Sequence, residues 1–79
     1  MQKITLDTSG LNCPLPVLKA KKQARSLSVG DLLMVIATDP ASKIDFGHFC
    51  HTDRHKLLDQ SEEEGVFTYL IEIGSSKEG

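Results

Sequence analysis

Residues 31–37 read Asp31-Leu32-Leu33-Met34-Val35-Ile36-Ala37, an aspartate followed by six uninterrupted apolar positions. Six residues are too few for a buried helix, and the leucine, valine and isoleucine content fits a strand covered on both faces, or on one face and at an edge. This segment is the expected middle of a sheet. Gly30 before it and Thr38-Asp39-Pro40 after it punctuate the chain.

Toward the N-terminus, residues 3–6 alternate, with Ile4 and Leu6 on one face, and the turn-forming Asp7-Thr8-Ser9-Gly10 ends this first strand. Val17, Ala20, Ala24 and Leu27 then recur at helical spacing, with Lys19, Lys21, Lys22 and Arg25 largely elsewhere on the wheel and Gly30 closing the segment. Toward the C-terminus, Ser42 followed by Asp45 is the S-x-x-D capping signal of a second helix, whose apolar stripe is Phe46, Phe49 and Cys50. His55 to Gln60, carrying Leu57 and Leu58, and Val66 to Ile73, with Phe67, Tyr69, Ile71 and Ile73 on one side, read as two more strands. Ser61-Glu62-Glu63-Glu64-Gly65 joins them as an antiparallel hairpin. The order is βαβαββ, and helical crossovers make the first two strands parallel. The expected fold is α+β, a two-layer sandwich in which both helices pack on one face of a four-stranded mixed sheet. Residues 74–79 read as a loose polar tail.

A chain of 79 residues forms one domain, because at this size folding buries only about 60% of the unfolded surface and the core cannot be divided. It has little room for a deep substrate cavity. The net charge of −2 provides no footprint for gripping a nucleic-acid backbone directly. Four of the nine basic residues fall between Lys19 and Arg25, and Glu62, Glu63 and Glu64 form an acidic run; the ordinary reading of both is a solvated face. No apolar run is long enough for a signal peptide or a membrane span. The two cysteines, Cys13 and Cys50, are far apart and form neither a disulfide framework nor a C-x-x-C pair. A cytoplasmic monomer with reduced thiols is expected.

The chemistry concentrates in Leu11-Asn12-Cys13-Pro14-Leu15-Pro16, where a strand turn meets a helix start. Proline is tolerated in a first helical turn because those amides have no intrahelical partner. Pro14 at the first helical position and Pro16 two residues on stiffen the turn and hold Cys13 at or next to the N-cap. There the helix dipole favours a thiolate, with Leu15 and Val17 as the available first-turn amides. Such a thiolate attacks sulfane sulfur on another protein's cysteine and keeps it as a persulfide. A cysteine hydrolase needs a base aimed at its sulfur, and the three histidines all lie between 48 and 55. On position alone, Cys13 reads equally well as a small apolar cap under the sheet.

The run Leu6-Asp7-x-x-Gly10-Leu11-x-Cys13-Pro14-x-Pro16, followed by Leu18 and Lys19, resembles the signature of the TusA family of sulfur carriers, also called SirA-like proteins. The resemblance continues through Gly30-Asp31-Leu32, Asp39-Pro40, Asp45-Phe46 and Phe49-Cys50, covering residues 2–73. It implies the βαβαββ fold, a persulfide on Cys13, a loop shaped by Gly10, Pro14 and Pro16, and no cofactor. It also implies a cysteine desulfurase or rhodanese as donor and a further sulfur-relay protein as acceptor, in tRNA thiolation, molybdenum-cofactor assembly or sulfur oxidation. Such a protein is a sulfurtransferase-like relay carrier rather than a stand-alone enzyme. Many relatives carry a glutamate or other polar residue where this chain has Leu15, a basic residue at Asn12, an arginine at Ile44 and a glycine at Arg54. The last leaves the second helix without its usual glycine cap.

The alternatives are a metal site, a redox pair and a non-catalytic regulatory or interaction module. At about 100° per residue, His48, His51 and His55 point roughly 140° to 200° from Phe46 and Cys50 about 40° from it. The histidines therefore read as solvated, no metal is expected, and Cys50 reads as a core thiol. An interaction module would use the exposed basic helix face, Lys19 and Lys22 included, and would tolerate loss of Cys13. A thiocarboxylate carrier needs a Gly-Gly tail, whereas this chain ends Lys77-Glu78-Gly79.

Overall fold

A computed structural model describes residues 2–74. Six elements follow in order: β1 (Lys3–Thr8), α1 (Leu15–Ala24), β2 (Leu32–Ala37), α2 (Ser42–Thr52), β3 (Lys56–Glu63) and β4 (Val66–Glu72). The sheet runs β1-β2-β4-β3, with β1 and β2 parallel and the other two pairs antiparallel. The expected α+β sandwich with a mixed sheet is present, and residues 32–37 supply a central strand.

Alternation along β2 shows how it is covered. Leu33, Val35 and Ala37 are fully buried under the helices, whereas Leu32, Met34 and Ile36 on the other face are half-exposed. On β4, Phe67, Tyr69, Ile71 and then Ile73 face the same core. Ala20 and Ala24, small enough to let a helix lie close on a sheet, carry α1; Phe46, Phe49 and Cys50 carry α2. The Phe46 ring stacks on Tyr69 with centroids 4.9 Å apart and meets Phe49 edge to face at 6.2 Å. Such pairs add to the burial of the rings themselves.

Several boundaries differ from the sequence expectation. α1 stops at Ala24, and Leu27 reaches the core from the turn beyond it. The hairpin is tighter than Ser61–Gly65, because Glu62 and Glu63 continue β3 and only Glu64 and Gly65 turn, both at positive φ (51° and 81°). Two successive left-handed residues form the turn whose twist matches that of the strands. Register slips between Leu57 and Asp59, leaving Leu58 exposed. Ser42 is not the cap of α2: Ala41 holds that position, and the Ser42 hydroxyl is buried against the Tyr69 hydroxyl at 2.7 Å.

At the other end of α2, Arg54 takes the left-handed conformation (φ 63°) that glycine usually fills. His55 N–H bonds the Cys50 carbonyl (2.8 Å) and Arg54 N–H the His51 carbonyl (3.4 Å), which is a Schellman termination with arginine in place of glycine. His55 therefore lies beyond the helix and is not solvated as expected: it is half-buried, edge-on to Phe49, and its Nδ1 accepts the Gly74 N–H at 3.1 Å. Burial lowers its pKa below the usual imidazole value, with the Asp53 charge opposing. Gly74 is correspondingly not loose. A β-carbon there would sit 2.0 Å from the Arg54 carbonyl oxygen. The rest of the expected tail, residues 75–79, lies outside the described residues.

Candidate functional site

Cys13 lies on the surface in the connection from β1 to α1. The chain leaves β1 through an Asp7 turn, in which the Asp7 carboxylate accepts the Ser9 N–H (2.9 Å), and through Gly10, whose φ of 83° is costly for any residue with a β-carbon. Two bonds then fasten this loop to the one leaving β2. Gly10 N–H donates to Thr38 Oγ1 (2.8 Å), and Cys13 N–H donates to Asp39 Oδ2 (2.5 Å).

Pro14 is the N-cap of α1 rather than its first helical residue, so Cys13 sits one position before the cap. The Cys13–Pro14 peptide is cis. Pro16 is buried against the sheet side of the helix, while Pro14 and Leu15 are exposed. The Leu15 amide, one of the two expected to face the sulfur, instead donates to the Asn12 carbonyl at 2.8 Å.

The expected thiolate bias is also absent. The Cys13 thiol pKa is raised, first by a side-chain hydrogen bond with Asp45, then by desolvation and by the charges of Asp45 and Asp39. The reason lies in the relative size of the charges. A helix terminus offers about half a positive charge that fades within a turn, with one of its donors spent on Asn12 and others absent at the prolines, against two full carboxylates beside the sulfur. The acidic residues come from α2 and the connection before it: Asp45 is in the first turn of the helix, and Asp39 precedes it, accepting the Ala41 N–H on Oδ1 (3.1 Å). Sequence reasoning treated them as a break, a capping signal and matches to the family pattern, without a role at Cys13. The parallel pairing of β1 and β2 was the available clue, because it brings both strand-to-helix turns to one edge.

The second cysteine behaves as expected. Cys50 is buried in the core cluster, and burial, with the charge of Asp53, pushes its thiol up to about 11. Lys19 and Lys22 are exposed on α1, as are the apolar Leu15 and Leu18 nearer Cys13 and Ile44 at the start of α2. His48 and His51 are exposed. Among the described residues no three His, Cys, Asp or Glu side chains group as metal ligands, and no helix is long and apolar enough to cross a membrane. A shallow depression lined by Lys43, Gln60, Ser61, Glu62, Phe67 and Tyr69 does not include Cys13.

Comparison with known proteins bears directly on this loop-borne thiol. The family model described as Sulfurtransferase TusA matches residues 4–73. The sulfur carrier protein TusA of Allochromatium vinosum is 52% identical over 66 residues, covering 84% of this chain and 87% of that one. That of Pseudomonas entomophila is 49% identical over 67 residues, covering 85% and 84%. The crystal structure of a SirA-like protein from Desulfitobacterium hafniense superposes with a TM-score of 0.80 at 27% identity, covering 91% of this chain and 99% of that one. With a family model spanning nearly the whole fold and relatives near half identity, the chain belongs to the TusA family of sulfur carriers.

Proposed function

We propose that this sulfur carrier holds sulfane sulfur as a persulfide on Cys13 and relays it from a donor protein, such as a cysteine desulfurase or rhodanese, to a further sulfur-relay protein. The observation that carries the reading is the contrast between the two thiols. Cys13 is exposed on a surface loop that a partner can reach, while Cys50 is sealed in the core. In transfer the Cys13 sulfur attacks the outer sulfur of the donor's persulfide. A new S–S bond forms on Cys13 as the donor's breaks, the donor cysteine leaves as a thiolate, and the proton given up by Cys13 balances it. No oxidant is consumed. Delivery to the acceptor repeats the same exchange with Cys13 as the leaving group.

The surroundings support a protein rather than a small molecule as the other reactant. Cys13 stands on open surface, flanked along α1 by the exposed apolar Leu15 and Leu18 and then by Lys19 and Lys22. A partner that brings its cysteine within bonding distance must cover these side chains. The apolar pair provides area to bury, and the two lysines favour an acidic rim on the partner. Gly10, Pro14 and Pro16 shape the loop that presents the sulfur.

The test is incubation with a cysteine desulfurase and cysteine, followed by intact and peptide masses under non-reducing conditions. One added sulfur atom is expected on the peptide containing Cys13, none in Cys13→Ser, and normal loading in Cys50→Ala. Loading of Cys13→Ser at the parent level would replace the carrier reading with that of an interaction module independent of the thiol.

A further inference from the structure

The chain leaving β2 grips the end of β1 and the Cys13 loop at three places. The buried Thr8 hydroxyl donates to the Ile36 carbonyl at 2.6 Å, the Gly10 N–H to Thr38 Oγ1 at 2.8 Å, and the Cys13 N–H to Asp39 Oδ2 at 2.5 Å. The last grip falls on the cysteine itself. Pro14, the next residue, has no N–H to offer, and the Leu15 N–H turns back to the Asn12 carbonyl. Asp39 is in turn well held. It is half-buried, its Oδ1 accepts the Ala41 N–H at 3.1 Å, and its carbonyl accepts the Ser42 N–H at 2.9 Å. Ser42 is buried with its hydroxyl on Tyr69. A chain of bonds thus runs from the core, through the start of α2 and the Asp39 carboxylate, to the Cys13 amide.

We propose that Asp39 is a positioning residue for sulfur transfer: by holding the Cys13 amide, it fixes where the Cys13 sulfur stands when a partner's cysteine approaches. This role presupposes Cys13 as the sulfur-bearing residue. Exchange between two proteins needs the attacking sulfur aligned with the S–S bond that breaks, and a displacement of about 1 Å can cost about a hundredfold in rate. A single rotatable bond separates the cysteine backbone from its sulfur, so fixing the backbone limits the sulfur to a few staggered positions. A bond to an ionised carboxylate is shorter and stronger than one between neutral groups, which suits a clamp on an exposed loop.

The experiment compares the parent with Asp39→Ala and Asp39→Ser. Alanine removes both carboxylate bonds, whereas serine keeps a hydroxyl for the Ala41 N–H and gives up the oxygen on Cys13. In amide NMR spectra the Cys13 N–H of both variants should move upfield and exchange faster with solvent, while the buried β2 residues Leu33 and Val35 keep their parent signals. Single-turnover uptake of sulfur from a cysteine desulfurase preloaded with cysteine should have a maximal rate about tenfold lower, at a half-saturating concentration within about twofold of the parent's. Iodoacetamide, small enough to approach from many directions, should alkylate Cys13 no more slowly than in the parent. A parent-like uptake rate in Asp39→Ala overturns the proposal, and so does one in Asp39→Ser, which would trace the loss to the start of α2. A change confined to half-saturation would make Asp39 a docking contact instead, and an equal slowing toward iodoacetamide would place the effect in the reactivity of the thiol; either result overturns positioning. A parent that takes up no sulfur refutes the relay and with it the positioning role, whereas a parent that loads beside equally fast variants refutes the positioning role alone.

Discussion

Arg54 occupies the one position where the end of α2 asks for glycine, and replacing it with glycine should stabilise the fold. A left-handed residue with a β-carbon costs roughly 1–2 kcal/mol. Glycine removes that cost but widens the unfolded ensemble, which takes back about 0.5–1 kcal/mol. The net expectation for Arg54→Gly is a gain of about 0.5–1 kcal/mol. The Schellman bonds at 2.8 and 3.4 Å are backbone bonds and survive the change, and the arginine side chain is exposed, so little packing is lost. At this chain length the gain corresponds to a rise in Tm of about 2–8 °C, and to a higher urea midpoint at unchanged slope. Arg54→Ala is the control: it deletes the same side chain but keeps the β-carbon, and should show no gain. If Arg54→Gly gains nothing over Arg54→Ala, the conformational argument for this helix end is wrong.

Two further predictions concern charge. Reversing Lys19 and Lys22 together to glutamate should slow loading by a desulfurase, and the gap should narrow as salt rises, because clustered exposed charge acts mainly on association rate; equal loading at all ionic strengths would remove these lysines from the docking surface. Cys50 makes stability depend on alkaline pH. Its thiol is raised by burial from 9.0 to about 11, so the unfolded chain ionises first, and the stability this group contributes is complete below about pH 9 and lost as pH rises through about 11. In a Cys13→Ser background, urea midpoints should fall across that window, and adding Cys50→Ala should flatten part of the fall. An unchanged slope would mean that the thiol is not sealed in the core.

Most of the fold was legible because its signals are local and repeated. The apolar run at 32–37, the helical spacing of Ala20 and Ala24, and the alternation from Phe67 to Ile73 each identify an element without reference to the others. What failed depends on contacts between distant segments. Ser42 matched a capping signal, but Tyr69 offers its hydroxyl a buried partner, and the helix starts one residue earlier than the motif implies. His55 reads as polar in a helical projection, yet the left-handed turn at Arg54 ends the projection and swings the ring onto Phe49. Glu62 and Glu63 look like a loop by composition, whereas the two-residue turn at Glu64 and Gly65 lets the ladder run to its end.

The electrostatics of the Cys13 loop follow from topology more than from the motif around it. β1 and β2 are parallel, with Thr8 paired to Ala37 at their C-terminal ends, and each is followed by a turn into a helix. Both turns therefore emerge at the same edge of the sheet, which in α/β architectures is where functional loops gather. The first turn presents a thiol and the second presents Asp39 and Asp45, so residues far apart in sequence come to act on one sulfur. A sequence-only view of Cys13 sees the nearest helix end and infers a thiolate. Adding the parallel pairing places a second helix start beside the first, and the acidic side chains there reverse the sign of the inference.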